Sequence, residues 1–134
     1  MKNELLHLSQ EEIYQLVLEA QSNALKNLGP GIKACDADAL AREMIKEAGL
    51  GDNFGHGLGH GVGLEIHERP RLSPRDETVL KPGMVVTVEP GIYISGWGGV
   101  RIEDMAVVTD SGCEVLTYSP KSLSEMIIRS TDKT

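Results

Sequence analysis

Apolar positions in the first third of the chain recur at helical spacing. Ile13, Leu16, Val17, Ala20, Ala24 and Leu28 fall on one face, so residues 9–28 predict an amphipathic helix. Ser9, with Glu12 three residues on, reads as a capping box at its start, and Gly29-Pro30-Gly31 stops it. A second helix is predicted from Asp36 or Asp38 to Ala48, with Leu40, Ala41, Met44, Ile45 and Ala48 as its buried stripe. The pattern then changes. Residues 55–68 place glycine at every second position from Gly55 to Gly63, interleaved with His56, Leu58, His60 and Val62. Glycines at that density would cost a helix about 1 kcal/mol each, which favours an extended path. On that path His56, Leu58, His60, Val62, Leu64 and Ile66 share one face, and the bare glycine face admits a close neighbour. His67 is out of phase, so a bend or bulge is expected between Val62 and Ile66.

Residues 69–82 are polar and contain Pro70, Pro74 and Pro82, which predicts a loop. Strands are predicted at 84–89, 92–94 and 99–109, and a short last one at 115–117 after the turn Asp110-Ser111-Gly112. A polar tail from 119 onward holds one helical turn near Leu123–Ile128. Helices followed by a run of strands predict an α+β domain, with two helices packed on one face of a mainly antiparallel sheet.

Composition narrows the function. The 134 residues suit one domain, and the net charge of −7 argues against nucleic acid or an anionic membrane surface as partner. No apolar run is long enough to span a bilayer. The polar start and two widely spaced cysteines, Cys35 and Cys113, fit a cytoplasmic protein with free thiols.

Two carboxylates interrupt apolar strands. Glu89 follows Val85-Val86-Thr87-Val88 on the face of Val85 and Thr87, and Glu103 shares a face with Arg101 and Met105. Such carboxylates are costly unless paired or bound to a cation. With His60 they form a nitrogen–oxygen donor set suited to Mn, Co, Zn or Fe. Each also has a plainer reading. Glu89 alone caps a strand end as readily, Glu103 pairs with Arg101, and His56 and His67 fit ordinary surface or core roles. Tyr93, Trp97 and Cys113 read as packing residues.

Taken together, three segments resemble the pita-bread metallopeptidases, in the branch of Xaa-Pro aminopeptidases and Xaa-Pro dipeptidases (prolidases). They are Gly55–Glu68, with its Gly-His alternation, Leu80–Tyr93, which carries Thr87-Val88-Glu89-Pro90-Gly91, and Gly99–Asp104, which carries Arg101-Ile102-Glu103-Asp104. Methionine aminopeptidases share the fold, but the His56–His67 stretch matches the proline branch better. The resemblance implies a dinuclear divalent metal site, commonly Mn, held by two aspartates, one histidine and two glutamates. It implies that His60 is the histidine ligand, that Glu89 is a ligand and proton relay, and that Glu103 bridges the ions. It further implies that His56 and His67 contact substrate and the tetrahedral intermediate, and that Arg101 supports Glu103.

The substrate implied is a peptide with proline at the second position. In the family both aspartates precede the helix that here starts near Ser9, and this chain has no Asp before Asp36. The expectation is therefore one truncated catalytic domain: a non-matching leader at 1–8, a family-like body at 9–118 and a polar tail at 119–134. Such a chain is expected to have weak or no activity and to associate as a homodimer or higher oligomer over its uncovered sheet. A non-catalytic pita-bread binding module is the alternative.

Overall fold

The computed structural model describes residues 8–128; the first seven residues of the expected leader and the last six of the tail lie outside them. Helix α1 (Gln10–Asn27) starts as its sequence dictates. Ser9 Oγ accepts from the Glu12 amide, and the Glu12 carboxylate accepts from the Ser9 amide. Its buried face is Ile13, Val17, Ala20, Gln21 and Ala24, with Leu28 buried just past its end. Helix α2 (Ala34–Glu47) begins two residues before Asp36. No side chain caps it. The amides of Ala34 and Cys35 donate instead to the carbonyls of Thr78 and Asp76, so a distant segment satisfies the open first turn. Ala41 and Ile45 of the expected stripe are buried, whereas Ala48 is exposed.

Seven strands follow: β1 (Gly59–Gly61), β2 (Glu68–Leu72), β3 (Val85–Val88), β4 (Gly91–Ile94), β5 (Gly98–Arg101), β6 (Asp104–Val108) and β7 (Cys113–Val115). Five form an antiparallel sheet in the order β2-β1-β3-β6-β7, and β4 and β5 pair as a separate hairpin. Helix α1 packs on β3, β7 and the hairpin, and α2 lies along α1 and against β2. The core joins Ile13, Val17 and Ile45 to Leu58, Val86, Val88 and Ala106.

Three local expectations are corrected. The start of the predicted loop at 69–82 is strand β2; Pro70 is tolerated because β2 is an edge strand with one partner. The predicted strand at 99–109 is two strands in different sheets, separated at Ile102 and Glu103. The last strand is Cys113–Val115 rather than 115–117, because the Thr117 hydroxyl turns to donate to Asp104 Oδ1. The helical turn expected in the tail is the short helix α3 (Leu123–Met126). Among the described residues no helix is long and apolar enough to cross a membrane. Cys35 and Cys113 are free thiols.

Candidate active site and metal centre

The Gly-His stretch enters the sheet for only three residues. Gly59 lies so close under β3 that an added Cβ would overlap the Thr87 carbonyl oxygen, and one on Gly61 would meet the Arg69 carbonyl oxygen at 2.5 Å. The bare face predicted from sequence is thus filled by neighbouring backbone. Between these glycines His60 is fixed on three sides. Its amide donates to Thr87 Oγ1 (3.1 Å), and its Nδ1 donates to the Gly61 carbonyl (2.9 Å). A ring nitrogen facing a carbonyl carries the proton, which turns Nε2 toward Glu89 Oε1 at 3.1 Å.

The shared face predicted for His56 through Ile66 does not persist. Leu58 is buried, while Leu64 and Ile66 are exposed. A register shift falls between His60 and Gly61, and the chain bends through 63–67. That bend carries His67 back, so its ring centroid lies 4.3 Å from that of His60.

Glu89 follows β3 on the face of Thr87, whose hydroxyl donates to Glu89 Oε1 (2.9 Å). Arg101 Nε lies 3.8 Å from the other carboxylate oxygen. Arg101 also donates to the Tyr93 hydroxyl (3.3 Å), which holds the guanidinium pKa above its ordinary value. His56 Nδ1 donates to the Gly57 carbonyl (2.7 Å), so its Nε2 accepts from the Tyr93 hydroxyl (2.8 Å). Tyr93, read from sequence as packing, therefore connects Arg101 to His56. Glu103 lies between β5 and β6 and makes no hydrogen bond among the described residues. Burial, and then the charge of Glu89, push its carboxyl above the ordinary value, while Arg101 and His60 pull it back.

Two clefts flank this wall. One, of about 590 Å³, holds His56, Arg71 and Ser73, and the other, of about 580 Å³, holds Glu103, Met105 and Thr117. His60, His67, Glu89 and Arg101 line both. All six sequence-predicted residues thus border one connected site. Arg101, Glu103 and Met105 line the same cleft, but not as one strand face, because the chain changes sheet between Arg101 and Asp104.

Three residues were not singled out from sequence. Asp38 is buried and accepts from the Leu58 amide and from Arg42, whose guanidinium in turn donates to the carbonyls of Phe54 and His56. The Asp38–Arg42 spacing signals a helical ion pair, but its reach to residues 54–58 does not show in sequence. Asp104, also buried, accepts from Gln21, Thr117 and Lys121 and anchors the start of β6 beside Glu103. Arg71 lay in the segment read as loop.

The donor types match a divalent cation: an imidazole nitrogen set against one carboxylate, and a second carboxylate whose pKa is raised by burial and then by the first. The number does not match. Among the described residues no three His, Cys, Asp or Glu side chains stand together as a metal-holding group, and of the three expected donors His60 and Glu89 form a close pair.

Helices packed on a mainly antiparallel sheet, with a histidine–glutamate pair lining its cleft, match part of the pita-bread fold of the prolidases. The chain belongs to metallopeptidase family M24, whose sequence profile matches residues 3–110. It is 59% identical over 114 residues to an Xaa-Pro dipeptidase of Pyrococcus furiosus, covering 85% of this chain and 33% of the relative. The crystal structure of the prolidase from Pyrococcus horikoshii superposes with a TM-score of 0.84 at 55% identity, over 85% of this chain and 33% of that one. An Xaa-Pro dipeptidase from Bacillus anthracis gives 0.83 at 54% identity, over 92% and 34%. The chain thus spans about a third of the length of the curated relatives it matches.

Proposed function

We propose that this chain carries the histidine–glutamate wall of an Xaa-Pro peptidase, which hydrolyses the bond before proline. The observation behind this reading is the His60 Nε2–Glu89 Oε1 pair, oriented by backbone and hydroxyl contacts and flanked by His67, Arg101 and Glu103. His60, Glu89 and Glu103 would hold a divalent ion, with Mn the proposed species and water completing its shell. That ion would supply an activated water and charge stabilisation at the scissile carbonyl. The chain's own residues do the rest. His67, beside His60, would present its imidazole toward the developing oxyanion, whereas His56, both of whose ring nitrogens are engaged by the Gly57 carbonyl and the Tyr93 hydroxyl, holds Tyr93 at the cleft wall. Arg101 keeps Glu89 oriented. The Arg71 guanidinium, with no ion pair among the described residues, offers a cation to a substrate carboxylate at the end of the cleft away from Glu103.

With two of three donors in contact, the purified chain is expected to show little or no Mn-dependent cleavage of an Xaa-Pro dipeptide. Robust turnover would overturn this expectation. The want of a closed donor group also favours a second reading, a binding module that holds proline peptides without cutting them. Metal analysis and the same assay separate the two: bound Mn supports the peptidase wall, whereas peptide affinity without metal supports the module.

Glu103 offers a test that needs no activity. A carboxyl raised on folding binds its proton more tightly in the native state, so its ionised form destabilises the fold at neutral pH and stability recovers as pH falls through the folded value. Metal-free Glu103→Gln is expected to melt higher than the parent near pH 7, with the gap closing in acid. Mn should raise the melting temperature of the parent and not of the variant. Equal melting at both pH values would contradict the assignment.

We further propose a cytoplasmic protein, from its two free thiols, and a homodimer or higher oligomer. Leu64, Ile66 and Tyr118 are exposed, and β2 and β7 each have one strand neighbour among the described residues. Light scattering should return a multiple of the 14.5 kDa chain, and a clean monomer would refute this.

A further inference from the structure

Strand β2 alternates strictly. Pro70 and Leu72 face the core, and Arg69 and Arg71 face out. With Arg75, these two arginines line a third pocket, of about 640 Å³. Arg71 and Ser73 belong both to this pocket and to the cleft beside His60, so the two adjoin across them. The acids in the pocket are already engaged. Asp76 accepts from the Thr78 hydroxyl, the Arg71 amide and the Thr78 amide, and its carboxyl is held below the ordinary value by those bonds, with a smaller contribution from the charge of Arg69. Glu77 pairs with Lys33 at 3.4 Å. None of the three guanidinium groups has an ion pair among the described residues. Three unpaired cations therefore gather at one place on a chain of net charge −7.

The site as a whole is polarised. Glu103 lines one cleft and the β2 arginines adjoin the other, with Glu89 and Arg101 between them. A peptide bound with its amine toward the glutamates would run its carboxylate end toward β2. Past Arg101, which sits beside Glu89, Arg71 is the next cation along the cleft. Arg69 and Arg75 lie beyond, and each further residue of extended peptide adds roughly 3.3–3.6 Å of reach.

We propose that Arg69 and Arg75 form a carboxylate subsite one residue beyond Arg71, so that the site prefers peptides in which the residue after proline bears a negative charge. This rests on the peptidase or peptide-binding reading above. The charge has two sources, the C-terminal carboxylate of a tripeptide or an acidic side chain at its third position. The plainer role for edge-strand arginines is to keep the edge from pairing with another strand, and that role is indifferent to the peptide.

Calorimetric binding to the full chain tests the proposal without turnover. Ala-Pro-Gln carries only the terminal carboxylate, Ala-Pro-Glu-amide only the side chain, and Ala-Pro-Gln-amide neither. One or both of the charged peptides should bind roughly three- to tenfold tighter than the neutral one, as expected for one or two exposed charge pairs, and the gain should shrink at high salt. Whichever gains names the source. Arg69→Gln with Arg75→Gln should erase the gain and leave the affinity for Ala-Pro itself unchanged. Equal binding of all three peptides, or a gain that survives in the double variant, overturns the subsite while the reading of the main cleft stands. Failure of Ala-Pro and every longer peptide to bind would overturn both.

Discussion

Asp38→Ala is expected to cost the fold about 3–5 kcal/mol, a large part of the roughly 5–15 kcal/mol that stabilises a domain of this size. Asp38 Oδ1 takes the Leu58 amide and one Arg42 nitrogen, both at 2.9 Å, and Oδ2 takes Arg42 Nε at 2.6 Å. Arg42 then reaches the Phe54 carbonyl (2.9 Å) and the His56 carbonyl (2.7 Å), with its guanidinium 4.2 Å above the Phe54 ring. Removing the carboxylate leaves a largely buried cation unpaired and a buried amide without its acceptor, and the segment that carries His56 loses its brace. Asp38→Asn keeps an acceptor for Leu58 and should lose less. Adding Arg42→Met to Asp38→Ala should recover part of the loss, because the stranded charge goes with it. Urea denaturation measures all three. A loss below about 1 kcal/mol for Asp38→Ala would show that the pair contributes no more than a surface contact.

Gly59→Ala is the second large effect. A methyl there has no space, since it meets the Thr87 carbonyl oxygen and lies 2.9 Å from Thr87 Oγ1. The obstacle is backbone, which cannot rotate away, so β1 and β3 must separate. Overpacking of this kind costs about 1–3 kcal/mol and sometimes more. The local consequence is larger than the global one. His60 is hung from Thr87 Oγ1 and faces Glu89, so separating the strands breaks the one donor pair the site possesses. Gly55→Ala is the control. Nothing lies within 4 Å of a Cβ there, and its cost should be near zero. Thermal melts rank the two, and Mn-induced stabilisation should vanish in Gly59→Ala and persist in Gly55→Ala. Equal behaviour of the two variants would refute the steric argument.

The helices were legible because their causes are local. Ser9 and Glu12 make their capping box from neighbours three residues apart, and the stripe from Ile13 to Ala24 is read from spacing alone. The start of α2 was not legible, because its first amides are satisfied by Thr78 and Asp76, far along the chain. Strand β2 was hidden for a similar reason. Pro70 weakens a strand pattern in sequence, and only the position of β2 at the sheet edge makes it harmless. The candidate site divides in the same way. His60 and Glu89 were visible as chemistry out of place, a histidine among glycines and a carboxylate ending an apolar strand. Asp38, Asp104 and Arg71 were not, because an aspartate near a helix start or an arginine in a polar run is ordinary until its partners are known.

For the Gly-His stretch, sequence by itself determined that the backbone is not helical, that a neighbour comes close, and that His67 rejoins the others only through a bend. Helix cost, the missing Cβ atoms and side-chain alternation are properties of the residues themselves. Tertiary structure decided which neighbour fills the glycine face, that His60 rather than His56 meets Glu89, and that Leu64 and Ile66 leave the core face after the bend. Those outcomes depend on β3 lying alongside β1 with Thr87 opposite His60, a pairing between segments far apart in the chain that no local pattern encodes.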